Sequence, residues 1–206
     1  MNTSKVCTNS ARLELLMAPL GRTIDVVVST RQPDDNPKTF HIHERLLRGI
    51  SPYLDSACKR IWRVSDDDEV PIVVEDMRVF RMFVQWLYSG AFQYHTLPDT
   101  DSKCQGSIRM ILQFYVLAVR LQVPALKDHI LSEMQNIPLA DSDFANIKYL
   151  YTNTNGPCEL REELMKRVAS ICRGVRANRY FQDGWAENAQ SCPEFFFDLA
   201  NKLNCG

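Results

Sequence analysis

Few side chains in this chain have the types and spacing that chemistry requires. His41 and His43 stand two residues apart, and in a strand both would face the same side of the sheet, as a metal-binding pair does. Zinc takes about four ligands, however, and no further cysteine or histidine lies close in sequence. We interpret His43 as a core histidine with satisfied hydrogen bonds and His41 as a surface residue, and we expect no metal site.

No candidate nucleophile stands in a catalytic signature. Ser51, Ser56 and the cysteines lack a GxSxG elbow or a comparable frame. The acidic runs Asp34-Asp35 and Asp66 to Asp68 are typical of solvated loops, and the glycines are scattered singly instead of forming a phosphate loop. The sequence therefore predicts a protein that is not an enzyme and that holds no cofactor.

The seven cysteines occur singly, without a CxxC pair. An odd number of scattered thiols is typical of proteins kept in a reducing compartment, so we expect a cytoplasmic or nuclear chain. Cys158 and Cys172 are interpreted as helix-packing residues. No stretch is long and apolar enough to predict a transmembrane helix, and no membrane partner is expected.

The net charge of −1 and the pI of about 6.4 give no basic excess that would attract nucleic acid. One short segment, Arg176 to Phe181, interleaves cations with aromatic rings, as proteins that bind single strands do. This segment keeps open an alternative of a different class, a nucleic-acid-associated transcriptional regulator, although the balanced charge argues against a nucleic-acid partner.

The elements that must position these residues follow from periodicity and from capping residues. Three β-branched runs predict strands at Thr23 to Thr30, Thr39 to Ile42 and Val70 to Asp76. Ser51 with Pro52 predicts a helix start, because a capping hydroxyl precedes a proline at the first helical position. Helices are predicted at Glu44 to Ile50, Ser51 to about Arg60, Met77 to Ser89, Ile108 to Gln122, from Pro124 onward, and at Asp141 to about Tyr151, Glu159 to about Gly174 and Pro193 to Leu203.

Two helical segments are apolar nearly all round and must lie inside a packed domain. They are Phe83 to Gly90 and Tyr115 to Ile130. Neither segment carries a nucleophile, a metal cluster or a phosphate loop, so both are predicted to be interior scaffolding. The sequence thus favours a chain that works through its exterior surface.

Four motifs carry a resemblance to a known family. They are an Asp-Val pair that opens the first strand, an F-x-x-H-x-x-x-L run followed by S-P, a W-L-Y-x-G run, and a helical-hairpin motif. In this sequence the motifs are Asp25-Val26, Phe40 to Leu47 with Ser51-Pro52-Tyr53-Leu54, Trp86-Leu87-Tyr88-Ser89-Gly90, and Leu117 to Leu126. Together with the order of the elements, they resemble the BTB/POZ domain, most of all in proteins of filamentous fungi.

The resemblance covers roughly residues 22–136 and implies an α+β BTB/POZ fold, a small sheet of about three to five strands flanked by helical hairpins. Residues 1–21 are expected to form a flexible N-terminus with a short amphipathic helix, and residues 137–206 a helical C-terminal extension. The resemblance implies structural roles for Asp25, His43, Ser51, Pro52, Trp86, Tyr88 and Gly90.

Proteins of this family are interaction modules, so the resemblance implies protein partners. In dimeric members an apolar N-terminal helix packs across the two-fold axis. Leu13, Leu16, Met17 and Leu20 recur at the spacing that such a helix needs. The same stripe could instead fold back on its own core. We expect a self-associating module, a homodimer, that presents a surface to a further partner.

The alternative of a related kind is a substrate adaptor of a cullin-type ubiquitin ligase. Cullin-binding members of the family carry an apolar-x-Glu triplet after the S-P helix start, and the aligned triplet in this chain is Ala57-Cys58-Lys59. A small residue replaces the apolar one and a cation replaces the carboxylate, which disfavours docking on a cullin. The triplet remains a predicted partner surface.

Repressor-type members of the family pair the aspartate of the first strand with an arginine that follows the histidine directly. In this chain Glu44 follows His43, so that charge-compensated pocket is not expected. We expect Asp25 to accept a hydrogen bond from His43 in a buried site.

Three consecutive aromatic residues, Phe195 to Phe197, mark the last predicted helix of the extension. Phe197 is predicted to point outward, where an exposed aromatic ring could anchor a partner. The alternative is that Phe197 packs against Trp185.

Overall fold

The computed structural model describes Met17 and residues 21–31, 36–64, 69–92, 105–135, 144–173 and 190–204. The elements bounded within these residues are three strands and eight helices, an α+β arrangement. The strands are β1 (Thr23–Thr30), β2 (Lys38–His43) and β3 (Glu69–Val74). The helices are α1 (Glu44–Ile50), α2 (Pro52–Val64), α3 (Met77–Ser89), α4 (Gln105–Arg120), α5 (Pro124–Met134), α6 (Phe144–Asn153), α7 (Glu159–Arg173) and α8 (Pro193–Asn204).

The chain divides into two compact units. The first consists of residues 1–100 and 113–130, and the second of residues 101–112 and 131–206. The sheet and α1 to α3 belong to the first unit, and α6 to α8 belong to the second. The predicted domain boundary between residues 136 and 137 lies outside the described residues and stays a prediction. None of the described helices is long and apolar enough to cross a membrane.

The sheet has β1 at its centre, in the order β2-β1-β3. β1 pairs with β2 antiparallel and with β3 parallel, so the sheet is mixed. Ile24, Val26 and Val28 of β1 are buried, while the side chains between them are partly exposed. This alternation follows from the two-residue period of a strand and turns one face of the sheet toward the core.

The third strand is shorter than the sequence indicates, because it ends at Val74 and not at Asp76. The Asp76 carboxylate accepts a hydrogen bond of 2.8 Å from the backbone N–H of Arg78 and caps α3. A residue that caps a helix no longer extends the strand. β3 is also only half buried, since Glu69, Pro71 and Val73 are exposed.

Both ends of α3 form as the sequence predicts. Gly90 follows its last residue with a φ of 79°, and its N–H donates to the carbonyl of Trp86 at 2.8 Å, a left-handed C-terminal cap. The predicted interior position of this helix is confirmed, because nearly all its apolar side chains are buried: Met77, Val79, Phe80, Met82, Phe83, Trp86 and Leu87.

The turn between α4 and α5 is closed by a residue that is not glycine. α4 ends at Arg120, two residues earlier than the sequence predicts, because Gln122 adopts a left-handed φ of 54°. The N–H of Val123 donates to the carbonyl of Ala118 at 2.9 Å and that of Gln122 to Val119 at 3.1 Å. These two bonds form a Schellman motif, which usually places glycine where Gln122 stands.

The second unit builds its core from one face each of α6, α7 and α8. The spacing of Leu160, Leu164, Val168 and Ile171 predicts an apolar stripe, and the first three are buried on α7, while the side chain of Ile171 lies outside those described. The spacing of Phe195, Phe196, Leu199 and Leu203 predicts a second stripe, which is correct only in part. Phe195 and Leu199 are buried on α8, but Phe196 is half-buried and Leu203 is 36% exposed. The packed cluster consists of Ile147, Tyr151, Met165, Val168, Ala169, Cys192, Phe195 and Leu199.

Candidate functional site

Two of the sequence motifs meet at His43 in the first unit. The backbone N–H of His43 donates to the hydroxyl oxygen of Tyr88 at 3.2 Å, and the Nδ1 of His43 lies 2.9 Å from the same oxygen. Since the hydroxyl carries one proton, it can donate to Nδ1 while it accepts from the backbone. The end of β2 is thereby fastened to the last turn of α3.

The predicted hydrogen bond from His43 to Asp25 is wrong. Asp25 Oδ1 lies 2.5 Å from Nδ1 of His41 instead, in an exposed position. The register of the hairpin explains why Asp25 contacts His41 and not His43, because Asp25 stands directly opposite His41 while His43 stands opposite Thr23. His41 is a surface residue as predicted, whereas His43 is half-buried.

Ser51 ties the S-P motif to the helical-hairpin motif. Its hydroxyl oxygen accepts from the backbone N–H of Leu54 at 3.0 Å, which is the predicted cap of α2. The same hydroxyl donates to the carbonyl of Leu121, the residue that follows α4. Ser51 is only 1% exposed, so one buried side chain satisfies backbone groups of two helix ends.

Trp86 and Pro52 are the remaining motif residues of the first unit. The indole Nε1 of Trp86 donates to Nδ1 of His129 on α5 at 3.1 Å, and the ring is 3% exposed. Among the described residues, Trp86 is therefore a satisfied interior ring and not part of an open cleft. Pro52 is exposed at the first position of α2, where its missing N–H costs nothing.

The predicted partner surface at Ala57-Cys58-Lys59 needs a correction. Cys58 is 1% exposed and faces the core, so it cannot contact a partner. Burial raises the pKa of its thiol to about 11, with a further contribution from Glu44. Ala57 is half-buried and Lys59 is exposed, and these two positions keep the prediction open.

Lys59 belongs to a chain of charged side chains on α1 and α2. Its Nζ lies 2.6 Å from Asp55, which also accepts from Arg48 at 2.7 Å, and Arg48 in turn contacts Glu44 at 3.1 Å. Hydrogen bonds from Lys59 and Arg48 lower the pKa of Asp55. Near the triplet, the surface of α2 therefore presents Lys59 paired with Asp55 and not an unpaired lysine.

The predicted self-association residues are only partly described. Met17 is helical and 86% exposed. Leu13, Leu16 and Leu20 lie outside the described residues, as do Trp185 and the Arg176 to Phe181 segment. Phe197 is 68% exposed on α8, which confirms its outward orientation.

A groove of about 630 Å³ opens in the second unit. It lies along α7 and α8, with the end of α6 and the turn after α6 closing one side. Pro157, Met165 and the ring of Tyr151 supply apolar lining, and its volume falls within the range of about 300–1,000 Å³ that ligand sites occupy. The charged residues of the lining are Glu159, Arg161, Glu162, Asp198 and Lys202.

Arg161 is the structural centre of this groove, although no motif marks it in the sequence. The side chain is 4% exposed. Its guanidinium donates to the side chain and carbonyl of Thr154 at 2.8 and 2.6 Å, and to the carbonyl of Tyr151 at 2.8 Å. The guanidinium also forms an ion pair with Glu194 at 2.5 Å, and its central carbon, Cζ, lies 4.2 Å from the centre of the Tyr151 ring.

Asp198 and Tyr151 form the second polar feature of the groove. The Tyr151 hydroxyl donates to Oδ2 of Asp198 at 2.8 Å. Burial raises the pKa of Tyr151, and the neighbouring Asp198 raises it further, so the hydroxyl stays a donor. Within the described residues Asp198 makes no ion pair, and its Oδ1 accepts no hydrogen bond.

Among the described side chains, no group of three or more histidine, cysteine or acidic residues is placed to hold a metal ion. The four described cysteines, Cys58, Cys158, Cys172 and Cys192, are free thiols.

No protein-family model matches this chain, and no curated protein matches it.

Proposed function

We propose that this chain is a protein-interaction module with a BTB/POZ-type first unit, and that it self-associates. The observation that carries the proposal is the meeting of the motif residues. His43 contacts Tyr88, and Ser51 contacts Leu121, so hydrogen bonds join residues of three of the four motifs inside one unit. These contacts support the proposal, because they bring together motifs that lie far apart in the sequence.

The burial of the apolar helices also supports an interaction role. Trp86 and Leu121 are each 3% exposed, and both serve the interior. We therefore propose that the first unit works through its exterior surface. Met17, at 86% exposed, is the most exposed of the described large apolar side chains, and it stands in the predicted self-association stripe.

The ligase-adaptor alternative gains no support from the triplet. Cys58 faces the core, and Lys59 is paired with Asp55. We therefore propose self-association ahead of cullin binding and ahead of nucleic-acid regulation. We also propose a cytoplasmic or nuclear location, since the described cysteines are free.

Light scattering coupled to size exclusion tests the proposal. We expect the unmutated chain to be a dimer at tens of micromolar, where a dimer of useful affinity persists. Leu13→Asp with Met17→Asp should give a monomer that keeps its helix content. The matched control is Tyr53→Asp with Val119→Asp, which adds the same charge at two exposed apolar positions of the first unit and should remain dimeric. An unmutated chain that is already monomeric overturns the proposal.

A further inference from the structure

We propose that the groove along α7 and α8 binds a peptide segment of a protein partner that carries an apolar side chain beside a lysine or arginine. The inference deepens the interaction role proposed above and rests on it. It names the surface in the second unit and the chemistry of what that surface takes.

The apolar half of the specificity comes from the groove lining and from the exposed ring beside it. Met165 and the Tyr151 ring line the groove. Phe197 is 68% exposed and stands four residues before Asn201, which also lines the groove. Residues four apart share one face of a helix, so Phe197 extends the lining along α8. An exposed aromatic ring next to an apolar depression is the usual composition of an interface anchor.

The basic half of the specificity comes from Asp198. One of its oxygens is held by the Tyr151 hydroxyl, which fixes the orientation of the carboxylate, while its other oxygen accepts no hydrogen bond within the described residues. The carboxylate is half-buried and lines the groove. A half-buried carboxylate whose orientation is fixed beside an apolar wall suits a cationic donor, because charge-assisted bonds are stronger where water is partly excluded.

The other charged residues of the groove decide how strongly Asp198 can attract a basic ligand. Arg161 has little capacity left for an anion, because it already makes four hydrogen bonds, to Thr154, Tyr151 and Glu194. Glu162 pairs with Lys166 at 3.2 Å, but both side chains are more than half exposed, so the pair is well screened. Lys202 stands four residues after Asp198 on α8, so it is the lining cation that opposes a basic ligand at this carboxylate.

Selection from a phage-displayed library of random short peptides on the immobilised full chain tests the proposal. We expect the selected peptides to share a lysine or arginine next to a leucine, isoleucine or aromatic residue. Their affinities are then measured by fluorescence anisotropy on labelled synthetic copies. Binding should weaken as salt rises, because one component of it is an exposed charge contact.

Variants of α8 give the proposal a test of sign. Asp198→Asn keeps the shape and the acceptor for Tyr151 but removes the charge, and should weaken binding about tenfold. Lys202→Ala removes the opposing cation and should strengthen binding about two- to threefold. Phe197→Ala should weaken binding about fivefold, while Tyr53→Ala, an equally simple loss of an exposed ring on the first unit, should leave it unchanged.

Three results would overturn the proposal: no enriched peptide, enriched peptides that are acidic or lack an apolar residue, or equal binding by Asp198→Asn and the unmutated chain. The outcome is separable from that of the self-association test. A dimeric chain that selects no such peptide refutes the groove alone, and a monomeric chain that selects basic apolar peptides refutes self-association alone.

Discussion

Replacing Ser51 with alanine should destabilise the first unit far more than its size suggests. The hydroxyl is buried and makes two contacts at once, accepting from the N–H of Leu54 and donating to the carbonyl of Leu121. Loss of an N-terminal cap costs about 1 kcal/mol. A buried carbonyl left without its donor costs about 1–3 kcal/mol. The free energy of unfolding should therefore fall by about 2–4 kcal/mol.

Ser56 provides a matched control on the same helix. Its hydroxyl donates to the carbonyl of Pro52 at 2.9 Å, but in an exposed position where water can replace it. Ser56→Ala should change the free energy of unfolding by less than about 0.5 kcal/mol. Both variants replace a serine of the α2 region with alanine. Any difference between their free energies of unfolding therefore reports the burial of Ser51 and its contact with Leu121.

Urea denaturation followed by far-ultraviolet circular dichroism measures both variants. The slope of the free energy with urea should stay constant while the midpoint of Ser51→Ala falls. A fall of about 2–4 kcal/mol is a large part of the 5–15 kcal/mol by which domains are stable, so the shift should be plain. If Ser51→Ala and Ser56→Ala unfold at the same urea concentration, the Ser51–Leu121 contact does not hold the motifs together. The BTB/POZ-type fold proposed for the first unit then loses its main support.

Three further outcomes are expected. Gln122→Gly should raise the free energy of unfolding by up to about 1 kcal/mol, because glycine adopts the left-handed cap without strain; urea denaturation checks this, and a destabilised variant would contradict it. Burial opposes ionisation of Asp76, but the hydrogen bonds from Arg78 outweigh burial and lower the pKa of this carboxyl. The carboxylate therefore stabilises the fold above the pKa that Asp76 has in the unfolded chain, and this stabilisation is lost as the pH falls through the lower pKa of the folded chain. Asp76→Asn should reduce the loss of stability between about pH 5 and pH 3, and an unchanged dependence of stability on pH would refute the assignment. In the native chain iodoacetamide should modify the half-buried Cys158 well before Cys58, whose pKa is raised to about 11. Mass spectrometry of the alkylated peptides checks the order. Early modification of Cys58 would show that this cysteine does not face the core.

Local signals in the sequence predict those parts of the fold that local interactions decide. The bounds of β1 and α1 are as predicted, and α3 begins after Asp76 and ends before Gly90 because a carboxylate caps one end and glycine the other. The inward stripe of α7 follows from its period alone. Each of these features depends on residues within one or two helical turns, which is why sequence reasoning recovers them.

Pairings between distant residues could not be predicted in the same way. The sequence places Asp25 and two histidines near each other, but only the hairpin register decides that His41 and not His43 stands opposite Asp25. A shift of register by one residue turns every side chain to the other face, and the sequence of the strands does not fix that shift alone. The parallel pairing of β1 with β3 likewise depends on a crossover and leaves no local mark.

The groove in the second unit was missed because its centre is a buried charge. A sequence with Arg161 between Leu160 and Leu164 indicates an apolar stripe with a solvated arginine beside it. Burial of that arginine depends on the carbonyl of Tyr151 in the last turn of α6, on that of Thr154 just after the helix, and on a carboxylate 33 residues away on α8. The end of α6 carries a signal, because the last carbonyls of a helix have no partner within it and call for a donor from elsewhere.

Arg161 gives the groove of the second unit its polar wall, beside the apolar core that α6, α7 and α8 share. The side chain holds the turn after α6 through Thr154 and the start of α8 through Glu194, so a single guanidinium positions two neighbours of α7. Its planar face lies over the Tyr151 ring, and the hydroxyl of that ring orients Asp198. The carboxylate proposed to receive a basic ligand is thus positioned through an unbroken series of contacts that starts at Arg161. Because the Glu194 side chain is 56% exposed, its ion pair with Arg161 is screened and stabilises little by itself, so Arg161 matters chiefly for the geometry that it imposes on the groove.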